Sequence, residues 1–198
     1  KAIAFDVPLL DGYRSTCLRN VAWKPAVGTF RGQVNPSVVP LLAKARYDAL
    51  LVNGYTQLTI WAAFSAPKAV GTRLLLRGES TLLYERPGAK LRVKRALVGG
   101  LVRACDALLY IGRHNREFYE AYGATPDKLF FAPYSVDNAY FAARAAEAVA
   151  AGARDRLRAS VGAGPDDVLA LFVGKLIARK RPFDLVDALA KLPRNVVA

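Results

Sequence analysis

Short apolar runs that stop at a turn-forming residue, each followed by a stretch with helical spacing, recur along this chain and constrain its fold more than any other feature. "YDALLVNGYT" (47–56) closes at Asn53-Gly54, and "TQLTIWAAFSAPKA" continues with helix-compatible spacing. "TRLLLRGES" (72–80) ends its run at Gly78. "KLRVKRALVGGLVRACD" then places Leu91, Leu97, Val98, Leu101, Val102 and Cys105 near one helical face. "ALLYIG" (107–112) leads into "RHNREFYEAYG", whose Gly123 stands where a helix C-terminus wants a residue with positive φ. "KLFFAPYSVD" supplies a fourth run. Continuous apolar strands alternating with helices predict an α/β class with a parallel sheet covered on both faces.

Further along, "AARAAEAVAAGARDRLRASVGAGPDD" (142–167) shifts to an Ala/Arg-rich helical composition ending in a Gly-Ala-Gly-Pro breaker, which reads as an interdomain connection. "VLALFVG" then begins a second sheet. Pro182 is placed as the first residue of the next helix, with Asp184 and Asp187 favourable to its dipole. Leu185, Val186, Leu189 and Leu192 are its expected buried face, and Pro193 its end. The domain reading is 1–150 for the first domain and 151–198 for the linker and the start of a second. "KAIAFDVPLLDG" reads as a strand entered partway through a domain, "RNVVA" as the start of another, and no Met occurs anywhere, so a fragment at both ends is expected.

With 53% hydrophobic residues among 198, the chain has material for a sizeable core. Charged residues make up 23%, no apolar run approaches the roughly 20 residues that span a bilayer, and the signal-peptide order of basic, apolar and small residues is missing. A soluble cytoplasmic protein is the expectation. Cys17 and Cys105 stand far apart without CxxC spacing, and His114 is the sole histidine, so a zinc site of N/S ligands cannot form without carboxylates and reduced cysteines are expected. The net charge of +13 points toward anionic partners: nucleic acid, anionic lipid or phosphorylated small molecules.

In open α/β sheets ligands bind beyond the carboxyl ends of the strands, here the loops at 7–16, 53–56, 77–86, 112–115, 133–138 and 174–182. GxGxxG and GxSxG are absent, and a Walker motif fails because Leu176 follows Gly174-Lys175. "ALFVGKLIARKRPFDLVDALAKLP" is the richest stretch. Gly174 lets a ligand approach the backbone, and Lys175 and Lys180 can converge on a diphosphate beside a helix N-terminus. A solvated basic loop is the competing reading. Glu79, with Arg77 beside it, is the best carboxylate candidate for the cleft, against a structural ion pair. Asp11-Gly12-Tyr13 could line an acceptor side, against a plain turn. Asp137 organises its loop, and His114 starts a helix. Lys90, Arg92, Lys94, Arg95 and Arg103 decorate a helix whose other face is apolar, suited either to a solvated surface or to anionic lipid. Nucleic acid is disfavoured because Phe130, Phe131, Trp61 and Tyr110 fall inside apolar runs and not among the basic residues.

"FVGKLIARKRPFDLVDAL" resembles the first strand, loop and helix of the C-terminal domain in GT-B glycosyltransferases of the large retaining family four, or group 1, where V-G-R-L-x-x-x-K-G-x-x-x-L-x-x-A is usual. The family's diphosphate-holding basic pair falls on Lys175 and Lys180. Lys replaces the usual Arg at 175, which keeps the charge but loses the bidentate fork, and Arg181 stands where Gly is common. "YIGRHNREFYEAYGATPDKLFFAPYSVDNAYF" resembles the end of the family's N-terminal domain, with "PYSVDNAYF" for N-G-V-D-x-x-x-F; "PLLDGYRSTCLRN" and "LLLRGES" look similar to that domain too. The family's Gly-rich loop would lie before Lys1 and its E-x7-E motif past Ala198. Arg77, Gly78 and Glu79 occupy the loop where many members carry a His.

The resemblance implies a Rossmann-like N-terminal domain plus the first β-α unit of a second domain. It implies sugar transfer from a nucleotide-diphosphate-sugar donor to a hydroxyl of a carbohydrate or lipid-linked acceptor, with retention, no cofactor and no metal. Little turnover is expected from these 198 residues alone. Peripheral association with the inner face of a membrane accompanies the cytoplasmic expectation. Alternatives are another GT-B enzyme, such as a nucleotide-sugar epimerase or a phosphorylase, and a non-catalytic module that binds anionic surfaces.

Overall fold

The computed structural model describes residues 10–65, 71–192 and 196–197. Two compact units divide the chain, Lys1–Tyr134 and Ser135–Ala198. The opening strand expected before residue 10 and the helix-ending Pro193 lie outside the described residues.

In the first unit the order is α1 (Val38–Ala45), β1 (Ala49–Asn53), α2 (Leu58–Ser65), β2 (Arg73–Arg77), α3 (Ala89–Ala104), β3 (Ala107–Tyr110), α4 (Arg113–Ala121) and β4 (Leu129–Phe131). The four strands form one parallel sheet in the order β1-β2-β3-β4, a Rossmann-like α/β arrangement. Leu50 pairs with Leu74, Leu76 with Leu108, and Leu108 with Leu129. This register aligns Val52, Leu74, Leu76 and Leu108 on one face, where they are buried against Phe64 of α2, Val98, Leu101 and Val102 of α3, and Phe118 of α4. A smaller cluster joins Val38 and Leu42 of α1 to Ala63 of α2.

Among the described residues, the expected coverage of both faces is not seen. Each crossover steps one strand further in the same direction, and right-handed crossovers that never reverse direction deliver their helices to a single face. The alternate residues Leu51 and Phe130 are 49% and 51% exposed, and Leu75 and Leu109 only half-buried. Among the described residues, this second face is apolar and open.

Local chemistry closes the elements. Gly123 follows α4 with φ +95, as its position required. Lys128 donates to the carbonyls of Arg103 and Cys105 at 3.0 and 2.9 Å, satisfying orphan acceptors at the end of α3. The Asp106 carboxylate accepts from the Leu74 amide at 2.7 Å, tying the entry of β3 to β2. On α3, Val98, Leu101, Val102 and Cys105 are buried as expected, but Leu97 is 57% exposed. It lies about 100° round the helix from Val98, past the edge of the sheet-facing stripe.

In the second unit α5 (Asn138–Ala150) and α6 (Ala153–Ser160) are separate helices, broken at Gly152 with φ +65. Asp137 caps α5 by accepting from the Tyr140 amide at 2.9 Å. Arg158 donates to the carbonyls of Gly164 and Asp167, closing the Gly-Ala-Gly-Pro turn. The run at 168–174 becomes a strand only over β5 (Val168–Leu169), paired in parallel with β6 (Val196–Val197); Leu171 and Val173 are exposed. On α7 (Pro182–Leu189), Leu185 and Leu189 are half-buried, whereas Val186, and Leu192 just beyond the helix, are exposed, because a two-stranded sheet offers the helix little to cover.

The two faces of α3 are separable in solution. Leu101→Ala should cost about 2–5 kcal/mol in urea unfolding through the cavity it leaves, and Leu97→Ala less than about 0.5 kcal/mol. Equal losses would contradict this assignment of its faces.

Candidate functional site

The carboxyl ends of β1 to β4 open into loops that hydrogen bonds fasten to one another. Beyond the last β1 residue the Gly54 amide donates to the Arg77 carbonyl at 2.7 Å. Asn115 of α4 is 2% exposed and works in both directions: its Nδ2 donates to the Ser80 carbonyl at 2.9 Å, and its Oδ1 accepts from the Ile111 amide at 3.1 Å. The loops after β2 and β3 are thereby fixed together. The Ser80 hydroxyl meets the Tyr55 hydroxyl at 2.8 Å, and the Tyr55 ring stacks on Phe118 with centroids 6.4 Å apart. Gly78 has a packing reason, since a Cβ there would stand 3.1 Å from the Tyr119 hydroxyl. That hydroxyl is buried without a hydrogen-bond partner among the described residues, and burial pushes its phenol well above the usual range.

Arg77 and Glu79 meet through a third residue. The Arg77 guanidinium lies 4.5 Å from the centroid of the Tyr134 ring, and its Nη2 approaches the carbonyls of Ala132 and Pro133 at 3.4 Å. The Tyr134 hydroxyl donates to Glu79, and that carboxylate raises the phenol's pKa. Arg77 Nε is buried without a partner among the described residues. A cation, an exposed carboxylate and a phenol thus join the loops after β2 and β4, flanking the end of β3. Tyr134 fell within a quoted motif, but its spacing from Glu79 in the sequence carries no sign of this contact.

Asp11, Gly12 and Tyr13 form an exposed turn with Gly12 at φ +82. His114, at the start of α4, places Nδ1 3.0 Å from Glu117. Cys17 is exposed, Cys105 is buried, and neither is in a disulfide. No group of three or more His, Cys, Asp or Glu that could hold a metal occurs among the described residues.

The basic residues of α3 divide into two sets. Lys94 and Arg95 bind opposite oxygens of Glu85 at 2.8 and 3.2 Å, and the Tyr122 hydroxyl donates to the same carboxylate at 2.5 Å. The Lys94 ammonium also stands 5.3 Å from the Phe118 ring centroid and 5.5 Å from that of Tyr122. Glu85, whose side chain is 8% exposed, was not anticipated, because nothing in the local sequence says that a loop carboxylate will be buried. Burial alone would raise its pKa; the bonds from Lys94, Tyr122 and Arg95 outweigh that and hold it below the ordinary value. Lys90 and Arg92 are exposed, with no ion pair among the described residues. A cavity of about 240 Å³ beside Lys90 is also lined by Tyr84, Glu85, Arg86 and Lys94.

A second concavity, about 700 Å³, lies in the loop before α1, where Val21, Trp23, Val34 and Leu58 line an apolar wall beside Lys24 and Arg31. Asn20 holds that loop, donating to the Gly32 carbonyl and accepting from the Val34 amide, both at 2.9 Å.

In the second unit Lys175 and Lys180 are exposed on the loop between β5 and α7. The loop folds on itself: the Ile177 amide donates to the Lys175 carbonyl, and the Lys180 amide to the Ile177 carbonyl, both at 2.9 Å. Arg181 adopts φ +49 before Pro182 and pairs with Asp184 at 2.7 Å. Gly174 has ordinary space around it; a Cβ would touch the Phe172 ring at 3.5 Å.

No helix is long and apolar enough to cross a membrane among the described residues. No protein-family model and no curated protein matches the chain.

The Glu85 cluster predicts a pH signature. A carboxylate depressed in the folded state stabilises fully above its unfolded pKa, near 4.5, and loses that contribution as pH falls through the folded value. Lys94, raised by Glu85 against its own burial, contributes below about 10.5 and loses its share as pH climbs through the raised value. Urea unfolding should therefore show Glu85→Gln reducing stability at pH 7, with the difference from wild type shrinking toward pH 3; a constant difference would sink this assignment.

Proposed function

We propose that this chain serves glycosyl transfer of the GT-B retaining type, with the first unit on the acceptor side and the loop between β5 and α7 meeting the diphosphate of a nucleotide-sugar donor. The observation that carries the reading is the pair of exposed lysines, Lys175 and Lys180, on one self-bonded loop that leads directly into a proline-started helix. Arg181 is paired with Asp184, while Lys175 and Lys180 are exposed.

When the bond from the anomeric carbon to the diphosphate lengthens, negative charge accumulates on the leaving phosphate oxygens. Two ammonium groups on that loop would stabilise that charge more than they stabilise the ground state, which lowers the barrier. Arg77, oriented by Tyr134 and the carbonyls of the β4 loop, and Glu79 would hydrogen-bond acceptor hydroxyls, acting by position. Retention of anomeric configuration follows from the resemblance to family four and not from this geometry.

Calorimetric titration with UDP, GDP and ADP tests the reading. Selective binding of one diphosphate is expected, weakened at least about tenfold in Lys175→Ala/Lys180→Ala, since each hydrogen bond to a charged group contributes about 1.5–3 kcal/mol. Absence of binding by a chain with intact circular dichroism would overturn the lysine clamp.

A further inference from the structure

We propose that the outward side of α3 docks on the surface of an anionic lipid bilayer. The apolar face of the helix is wider than its contact with the core. Val98, Leu101 and Val102 are buried, while Val93 and Leu97, on the i, i+4 row that leads to Leu101, form an outer stripe that faces water with 59% and 57% exposure. A helix that only closes a core has no use for this outer stripe, where polar residues would ordinarily stand.

Charge sets the identity of the surface. At about 100° per residue, Lys90 and Arg92 flank the outer stripe on opposite sides, both exposed, and α3 contains no acidic residue. Lys94 and Arg95 neutralise the nearest carboxylate, Glu85, so the helix surface keeps a positive field. In the turn before α3, Leu83 and Tyr84 are 65% and 89% exposed, adding apolar surface and an aromatic suited to headgroup depth. An apolar stripe between basic flanks on a helix held at a surface matches a lipid interface, where apolar side chains reach the acyl boundary and the bases meet phosphates.

This docking is independent of the diphosphate loop, and its test separates the two. Co-sedimentation is measured with vesicles of phosphatidylcholine alone and of two parts phosphatidylcholine to one part phosphatidylglycerol. The expected result is binding to the mixed vesicles only, weakening as salt is added. Lys90→Ala/Arg92→Ala should lower the partition coefficient about thirtyfold, a factor of about five for each base near the surface. Val93→Ser/Leu97→Ser should also bind less while melting at the wild-type temperature, and Lys175→Ala/Lys180→Ala should bind as wild type does. In a Cys17→Ser background, Leu97→Cys carrying an environment-sensitive fluorophore should shift to the blue on the mixed vesicles. Equal binding to both vesicle types, no effect of the α3 variants, an equal loss in the lysine-loop variant, or competition by soluble glycerol phosphate would each overturn the proposal.

Discussion

The one-way order of the parallel sheet is the constraint from which the first unit follows. Because β1 to β4 never reverse direction, α2, α3 and α4 crowd onto one face, and the aromatic residues of α4 and the branched side chains of α3 compete for the same layer. Phe118 lies at the centre of that competition, fully buried, stacked on Tyr122 at 4.2 Å and in edge contact with Tyr119 at 5.8 Å. The same crowding turns Glu85 inward, where a lone carboxylate would be costly. Lys94 and Arg95 answer that cost from α3 and Tyr122 from the turn that ends α4, so the charge cluster and the core are one construction.

The loops above the sheet inherit this order. Asn115 is held in the packed layer by α4 and spends both ends of its amide on backbone groups of neighbouring loops, which leaves Arg77 and Glu79 on a fixed rim. Tyr134 then reaches back from the last strand to both of them. Rigidity at the rim therefore derives from backbone hydrogen bonds beneath it, and the charged groups themselves contribute little to holding the scaffold.

Much of this was legible in the chain. The four apolar runs mark the four strands, Gly123 marks the end of α4, and Pro182 the start of α7, because each of these signals is local. What the sequence could not show depends on tertiary placement. A continuous apolar run is compatible with one covered face or two, so the open side of Leu51 and Phe130 left no trace. Leu97 stands beside the buried Val98 and one turn before the buried Leu101, and only the line of contact with the sheet excludes it. Glu85 and Tyr134 look like ordinary loop residues until partners 9 and 55 positions away arrive. The lysine loop was visible as a motif, while the shortness of β5 was not, since Leu171 and Val173 carry strand propensity without a neighbouring strand to pair with among the described residues.

The open apolar face of the sheet also gives the net charge of +13 a second consequence. Leu51, Leu75, Leu109 and Phe130 form a surface on which two copies of the chain would adhere if they came close enough. Mutual repulsion between strongly cationic molecules keeps them apart at low ionic strength. Screening shortens the reach of that repulsion to about 3 Å at 1 M salt, while leaving apolar attraction in place. Colloidal behaviour is thus governed by the same excess of lysine and arginine that draws the chain toward anions, and dispersal in dilute buffer becomes clustering in brine.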